Sequence, residues 1–121
     1  MSKKHTILLV DDEADIRTAL GGELASNGYE VLTAGDGTEA IKTLSQRKVD
    51  VVLLDVVMPK SNGFDVLDFI KRNSIESKVI MMSASADLSD VYRSKLLEAR
   101  DYIPKPYSVE DVLNAISRVL S

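Results

Sequence analysis

The stretch VVLLDVVMP, Val51 to Pro59, places a single carboxylate, that of Asp55, between two apolar runs. An ionised Asp is costly to bury unless it is paired, binds a metal or lies where the chain reaches the surface. The run before it is short and rich in β-branched residues, which is typical of a strand in the core of a sheet. We therefore predict that Asp55 stands at the end of a buried strand.

Outside this stretch, short apolar runs alternate with segments of helical period. The predicted strands are Thr6 to Val10, Glu30 to Ala34, Val49 to Leu54, Lys78 to Met82, and Tyr102 with Ile103. The predicted helices are Ala14 to Asn27, Thr38 to Arg47, Gly63 to Arg72, Leu88 to Ala99 and Val109 to Leu120. Such alternation predicts an α/β fold, with a parallel sheet, right-handed crossovers and helices on both faces.

The apolar content of the strands predicts their order in the sheet. The first and third strands are rich in branched apolar residues and belong at the centre, whereas the second and fifth are less apolar or shorter and belong at the edges. These positions fit a doubly wound, flavodoxin-like sheet of order 2-1-3-4-5. Ligands of such sheets bind beyond the carboxyl ends of the strands, where the winding reverses. Here that point lies between the first and third strands.

Composition narrows the class of protein. The chain has 121 residues, which predicts one domain over residues 1–121, and 45% of them are hydrophobic. It has no cysteine, which excludes disulfides and thiolate chemistry and is compatible with a cytoplasmic location. The apolar run before Asp11 is too short for a signal peptide or a membrane span. The net charge of -4 argues against a surface for direct nucleic-acid contact.

Polar side chains stand at the ends of the predicted strands. Asp11, Asp12 and Glu13 follow the first strand, Asp55 the third and Ser83 the fourth, and Lys105 comes soon after the fifth. Each has an ordinary alternative: Asp11 or Asp12 as a helix cap, Ser83 as a turn residue, and Asp55 and Lys105 as solvated surface charges. Those alternatives do not explain why all of them converge on one edge of the sheet.

Carboxylates that are brought together repel one another unless a cation joins them. One or two carboxylates, completed by water and phosphate oxygens, are the ligands that Mg²⁺ takes. We therefore expect the acidic group at this edge to bind Mg²⁺ and an anion.

In their order and positions, these motifs resemble the receiver domain of bacterial response regulators, of the chemotaxis-regulator type. The matching segments are DDE after the first strand, LLDVVMPKSNG after the third, Ser-Ala after the fourth and DYIPKPY around the fifth. The resemblance covers the whole chain. It implies a two-component signal-transduction protein that carries its phosphoryl group as an aspartyl phosphate.

The resemblance also implies roles for individual residues. Asp55 would be the phosphoacceptor, with Asp12, Asp55 and the backbone carbonyl of Val57 as direct Mg²⁺ ligands and Asp11 acting largely through water. Lys105 would pair with the phosphoryl oxygens and Ser83 would hydrogen-bond one of them. Tyr102 would turn inward when Ser83 moves, and Lys105-Pro106 would be a cis peptide.

By the same resemblance, the phosphoryl donor is a sensor histidine kinase, a phosphotransfer protein or a small donor such as acetyl phosphate. The domain assists its own phosphorylation and dephosphorylation without being an enzyme. Effectors would bind the face formed by the fourth helix, the fifth strand and the fifth helix, and a homodimer on phosphorylation is compatible with the family. The sequence leaves open whether the receiver acts alone or within a longer protein.

Two other classes fit the sequence less well. A magnesium-dependent phosphatase with an aspartyl nucleophile would have a second Asp two residues after Asp55, where this chain has Val57. An FMN-binding flavodoxin-like module needs a hydroxyl-rich phosphate loop after the first strand, where the acidic DDE would repel phosphate. The chain also departs from the receiver pattern, because Glu98-Ala99 stands where Gly-Ala is usual. The fourth helix must therefore end without glycine.

Overall fold

A computed structural model describes residues 4–56, 63–83, 95 and 98–121 of the chain. Five parallel strands form one sheet, in the order β2-β1-β3-β4-β5. The strands are β1 (Thr6–Val10), β2 (Glu30–Ala34), β3 (Val51–Asp55), β4 (Lys78–Ser83) and β5 (Asp101–Pro104). The predicted order is confirmed, and the winding therefore reverses between β1 and β3.

Four helices lie within the described ranges. They are α1 (Ala14–Ser26), α2 (Gly37–Gln46), α3 (Gly63–Arg72) and a C-terminal helix (Val109–Leu120). The bounds predicted for α3 and the C-terminal helix are confirmed. Helix α1 ends one residue before the predicted end, and α2 both begins and ends one residue earlier than predicted. The predicted helix from Leu88 to Ala99 falls largely outside the described residues.

Local sequence signals explain where several helices begin and end. The C-terminal helix starts with a reciprocal capping box, in which the Ser108 hydroxyl accepts from the Asp111 N–H and the Asp111 carboxylate accepts from the Ser108 N–H. The Asp36 side chain caps α2 by accepting from the N–H of Glu39 at 2.9 Å. After α1, Gly28 adopts a φ of 93°, a left-handed conformation that glycine takes without steric cost.

The suggestion that Asp11 or Asp12 caps α1 is wrong. The N-cap residue is Glu13, and its side chain makes no capping hydrogen bond. The carboxylate of Asp11 accepts instead from the backbone N–H of Glu13, before the helix begins. Capping of α1 therefore does not explain the acidic residues after β1.

The core consists of two layers, one on each face of the sheet. Every residue of β1 and β3 is buried, as is β4 from Val79 onward, because helices cover both faces. On one face the strands pack against α2 and α3; on the other they pack against α1 and the C-terminal helix. The first layer includes Leu8, Val10, Val52, Leu54, Phe64, Leu67 and Met81. The second includes Ile7, Leu9, Leu24, Leu53, Ile80, Met82 and Ile116.

The strand ends differ slightly from the prediction, in a way that bears on function. The third strand begins at Val51 rather than Val49 and extends to Asp55, and the fourth extends to Ser83, so these polar residues are the last residues of their strands. The fifth strand reaches Pro104, directly before Lys105. The carboxyl edge of the sheet therefore presents these side chains from a rigid frame.

Candidate functional site

Asp55 ends the central strand β3 and is only 5% exposed. The next residue, Val56, donates its N–H to the carbonyl of Met82 on β4 and accepts from the N–H of Gly63 at 2.7 Å. A Cβ atom on Gly63 would collide with the carbonyl oxygen of Asp55 and come 3.0 Å from the Cα atom of Val56. Glycine at this position allows α3 to begin directly against the end of β3.

Asp11 is the first residue after β1 and is completely buried. Its N–H donates to the carbonyl of Ala34, and its Oδ1 atom accepts from the N–H of Glu13 at 2.9 Å. Its Oδ2 atom has no hydrogen-bond partner among the described residues. Burying a carboxylate oxygen without a hydrogen bond costs free energy, so we expect this atom to interact with a cation.

Asp11, Asp12 and Asp55 form an acidic group at the carboxyl edge of the sheet. One carboxylate oxygen from each residue lies within 4.8 Å of the other two. Asp12 is exposed, whereas Asp11 and Asp55 are buried, so the group opens to solvent on one side. The structure thus brings together the three acidic residues that the sequence predicted as metal-binding.

Lys105 follows β5 and reaches across to this acidic group. Its Nζ atom lies 3.2 Å from Oδ2 of Asp55 and 3.8 Å from Oδ2 of Asp11. The backbone N–H of Lys105 donates to the carbonyl of Ser83, and the Lys105-Pro106 peptide is cis, as the resemblance implied. Partial burial alone would lower the pKa of Lys105, but the neighbouring carboxylates, chiefly that of Asp55, outweigh it and raise the pKa.

Ser83 and Tyr102 lie on neighbouring strands at the same edge. Ser83 ends β4, is 1% exposed and pairs with Pro104 of β5. Tyr102 pairs with Met81, and its half-buried ring packs against the layer that includes α2 and α3. These positions are compatible with the predicted switch roles, which stay predictions. Val57, the fourth predicted metal ligand, lies outside the described residues.

The donor set of this edge fits a hard divalent cation. All the side-chain ligands are carboxylate oxygens, and one buried oxygen, Oδ2 of Asp11, lacks a hydrogen bond within the described part of the chain. Mg²⁺ prefers such oxygen ligands and commonly keeps several bound waters. Because Asp12 is exposed, the acidic group is open to solvent on one side and leaves room for those waters.

Two residues near the acidic group were not singled out by the sequence. Tyr107 follows Lys105 by two residues; burial raises the pKa of its phenol, the Lys105 ammonium opposes this rise, and the carboxylates of Asp11, Asp55 and Glu13 add to it. Tyr107 falls within the quoted DYIPKPY segment, so its position was available as a signal. Arg17 donates from Nη1 to the carbonyl oxygen of Asp11 at 2.6 Å, a contact that the sequence pattern does not reveal.

Comparisons with known proteins agree with this geometry. A family model described as the response regulator receiver domain matches residues 7–117. A probable transcriptional regulator ycf27 of Guillardia theta is 40% identical over 99% of this chain and 47% of its own length. The alkaline phosphatase synthesis transcriptional regulatory protein PhoP of Bacillus subtilis is 37% identical over 99% of this chain and 49% of its own length. The chain therefore spans about half the length of these relatives.

Solved structures show the same fold. A CheY-like response regulator receiver domain protein of Methanospirillum hungatei is 28% identical, with a TM-score of 0.93, and the match covers 98% of this chain and 94% of that one. The response regulator TrrA of Thermotoga maritima, solved with Mg²⁺ and BeF, is 31% identical, with a TM-score of 0.85, over 95% and 98% of the two chains.

No helix within the described ranges has the length and apolar character needed to cross a membrane. The family match agrees with the observed strand order and with the acidic group at the carboxyl edge of the sheet. This chain belongs to the receiver domains of two-component response regulators.

Proposed function

We propose that this receiver accepts a phosphoryl group on Asp55 from the phosphohistidine of a sensor histidine kinase or a phosphotransfer protein. The observation that carries this proposal is the setting of the Asp55 carboxylate. It lies at the end of a buried strand, 3.2 Å from the Lys105 ammonium and within 4.8 Å of two other carboxylates. A charge in such a place is costly to maintain for stability alone, but it suits a positioned nucleophile.

The proposed transfer is a substitution at phosphorus. A carboxylate oxygen of Asp55 forms a bond to the phosphorus while the bond from phosphorus to the histidine nitrogen breaks. The electron pair of that bond stays on the nitrogen, and the released imidazole takes up a proton as needed. Lys105 lies where its ammonium can stabilise negative charge on the phosphoryl oxygens. Water later cleaves the acyl phosphate, which restores the carboxylate and releases inorganic phosphate. The domain thus assists its own phosphorylation and dephosphorylation, and we do not class it as an enzyme.

We propose that Asp11, Asp12 and Asp55 hold Mg²⁺, together with the carbonyl of Val57 that the family resemblance implies. When bound, Mg²⁺ would offset negative charge on the phosphoryl oxygens and on the clustered carboxylates. Support comes from the oxygen-only donor set and the buried Oδ2 atom of Asp11. The relative TrrA was solved with Mg²⁺ and BeF, which is compatible with a cation at this edge of the fold.

Phosphorylation would be relayed to a partner through the edge of the sheet. A phosphoryl group adds about -1.5 to -2 charges at one point. The proposed response is that the Ser83 hydroxyl donates to a phosphoryl oxygen, the ring of Tyr102 moves inward, and the face formed by the fourth predicted helix, β5 and the C-terminal helix changes. An effector would bind that face, and a homodimer could form on it. The relatives are named as transcriptional regulators, so transcription is the output they suggest.

Intact-mass measurement tests the phosphoacceptor. After incubation with acetyl phosphate and Mg²⁺, the parent protein should gain one phosphoryl group, and Asp55→Asn should gain none. Asp15→Asn is the matched control, because Asp15 is an exposed Asp in the first turn of α1 and should leave the addition unchanged. Undiminished addition in Asp55→Asn would refute the assignment.

A metal titration tests the acidic group separately. We expect Mg²⁺ to bind the unphosphorylated protein with a dissociation constant on the order of 1 mM, because few protein ligands hold a cation that stays partly hydrated. Asp12→Ala should weaken this binding strongly, and Asp15→Ala should not. If Asp12→Ala binds Mg²⁺ as tightly as the parent, Asp12 is not a ligand.

A further inference from the structure

Arg17 donates a hydrogen bond to the main chain of the acidic site, and it lies close to the carboxylates of Asp11 and Asp12 in the sequence. It lies in α1, is half-buried, and donates from Nη1 to the carbonyl oxygen of Asp11 at 2.6 Å. That carbonyl belongs to the peptide that joins Asp11 to Asp12. Hydrogen bonds from a charged donor are short and strong, so this contact restrains the peptide from which two of the three carboxylates extend.

The remaining contacts of Asp11 show what this restraint achieves. Its N–H is held by the carbonyl of Ala34 and its Oδ1 atom by the N–H of Glu13, while Arg17 holds its carbonyl oxygen. The atom left without a hydrogen bond to any described residue is Oδ2, which lies 3.8 Å from the ammonium of Lys105. Asp11 is therefore anchored at every polar atom except the one that faces the site.

The guanidinium group of Arg17 also lies beside a second segment of the chain, the loop that contains Gly35. A Cβ atom on Gly35 would lie 3.2 Å from Nη1 of Arg17 and 3.1 Å from Oε2 of Glu39. The same Glu39 oxygen accepts from the N–H of Gly35 at 3.0 Å. The guanidinium group of Arg17 is therefore close to the loop between β2 and α2 as well as to Asp11, and a side chain placed between two segments loses rotamer freedom.

We propose that Arg17 is a positioning residue, which fixes the Asp11–Asp12 peptide so that Oδ2 of Asp11 and the carboxylate of Asp12 converge on a bound cation. The inference rests on the proposed function in taking that cation to be Mg²⁺. The charge of Arg17 and its hydrogen bond to Asp11 predict opposite effects on Mg²⁺ binding. As a cation close to the acidic group, Arg17 would by charge alone oppose Mg²⁺ binding, so its removal would tighten binding. As a positioning residue, its removal weakens binding.

Three variants separate these effects. Arg17→Met removes the charge and the hydrogen bond, Arg17→Lys keeps the charge but loses the planar donor group, and Arg47→Met is the matched control. Arg47 pairs with Glu30 at the start of β2, at the opposite end of the sheet from the acidic group. Loss of a residue that orients a metal ligand typically weakens metal binding by about 10- to 100-fold. In titrations followed by amide NMR shifts, we expect Mg²⁺ to bind Arg17→Met about 10-fold more weakly than the parent, Arg17→Lys to be intermediate and Arg47→Met to be unchanged.

A second measurement needs neither metal nor phosphate. The N–H of Glu13 donates to Oδ1 of Asp11, so its hydrogen exchange reports how firmly Asp11 is held. In metal-free protein this amide should exchange several-fold faster in Arg17→Met than in Arg47→Met. If Arg17→Met does not fold, Arg17→Lys should show the same changes with smaller size.

Tighter or unchanged Mg²⁺ binding in the Arg17 variants would overturn the proposal, as would unchanged exchange at Glu13. If the parent itself binds no Mg²⁺, the metal site of the proposed function fails, and the exchange of the Glu13 amide still decides whether Arg17 positions Asp11.

Discussion

The ammonium of Lys105 lies 3.2 Å from Oδ2 of Asp55, although 50 residues separate the two along the chain. Both side chains extend from the carboxyl edge of the parallel sheet, one at the end of β3 and the other just after β5. The contact joins the proposed nucleophile to a cation that the fold itself supplies. It also links the stability of the domain to pH.

The alkaline stability of the domain should depend on Lys105. Its pKa is raised above the ordinary 10.5 by the carboxylates, so the ion pair stabilises the fold fully below about that pH. This stabilisation is lost as the pH rises through the higher pKa of the folded state. In metal-free urea unfolding, the free energy of unfolding should therefore fall more steeply above pH 10 for the parent than for Lys105→Met. Lys42→Met, which removes an exposed lysine of α2, should keep the slope of the parent; equal slopes for parent and Lys105→Met would contradict this prediction.

Two glycines should respond oppositely to alanine. In Gly63→Ala the new methyl group would meet backbone atoms of Asp55 and Val56, so we expect a loss of about 1–3 kcal/mol in the free energy of unfolding and slower phosphorylation. In Gly22→Ala the methyl group meets nothing within 4 Å inside helix α1, and helix propensity should add about 0.5–1 kcal/mol. Urea unfolding of the two variants measures both changes. A neutral Gly63→Ala would show that α3 need not approach β3 so closely.

Chemistry and signalling should separate at Ser83. In Ser83→Ala the nucleophile, the acidic group and Lys105 remain, so Asp55 should still accept a phosphoryl group. The buried hydroxyl at the end of β4 is lost, however, and with it the proposed link to Tyr102. Amide NMR shifts from Glu98 to Ile103, measured with and without beryllofluoride and Mg²⁺, should change less in Ser83→Ala and in Tyr102→Ala than in the parent. A full response in both variants would place the switch elsewhere.

Glu98 should be a site where glycine is preferred. Its φ of 67° lies in the left-handed region, and its N–H donates to the carbonyl of Lys95. Non-glycine residues adopt this conformation at a cost, so Glu98→Gly should stabilise the domain by up to about 1 kcal/mol in thermal or urea unfolding. Glu98→Ala removes the side chain but leaves a non-glycine residue in the left-handed conformation, so it should not raise the free energy of unfolding. Destabilisation by glycine would mean that the Glu98 side chain contributes more than its backbone costs.

Glu98 also shows how a departure from the family pattern was resolved. The sequence indicated that the fourth helix must end without the usual glycine, but it could not show what would replace that glycine. In the structure Glu98 itself takes the left-handed conformation. The choice depends on how the chain must turn to enter β5, which is a property of the packed sheet rather than of the local sequence.

The sequence by itself determined the alternation of elements, the order of the strands and the edge at which Asp11, Asp12, Asp55, Ser83 and Lys105 gather. These follow from the period and the apolar content of short segments, because burial on both faces of a parallel sheet requires continuous apolar runs. Local patterns of apolar residues were also sufficient for the bounds of α3 and the C-terminal helix, which match the prediction.

Only the tertiary structure decided what the clustered groups do to one another. The sequence allowed Asp11 or Asp12 to be a helix cap; the fold instead anchors Asp11 and leaves its buried Oδ2 atom facing Lys105. The bond from Arg17 to the Asp11 carbonyl likewise has no signature in the spacing of residues. Distances between side chains far apart in the chain depend on strand register and on rotamers that the whole core holds in place, and no local pattern encodes them.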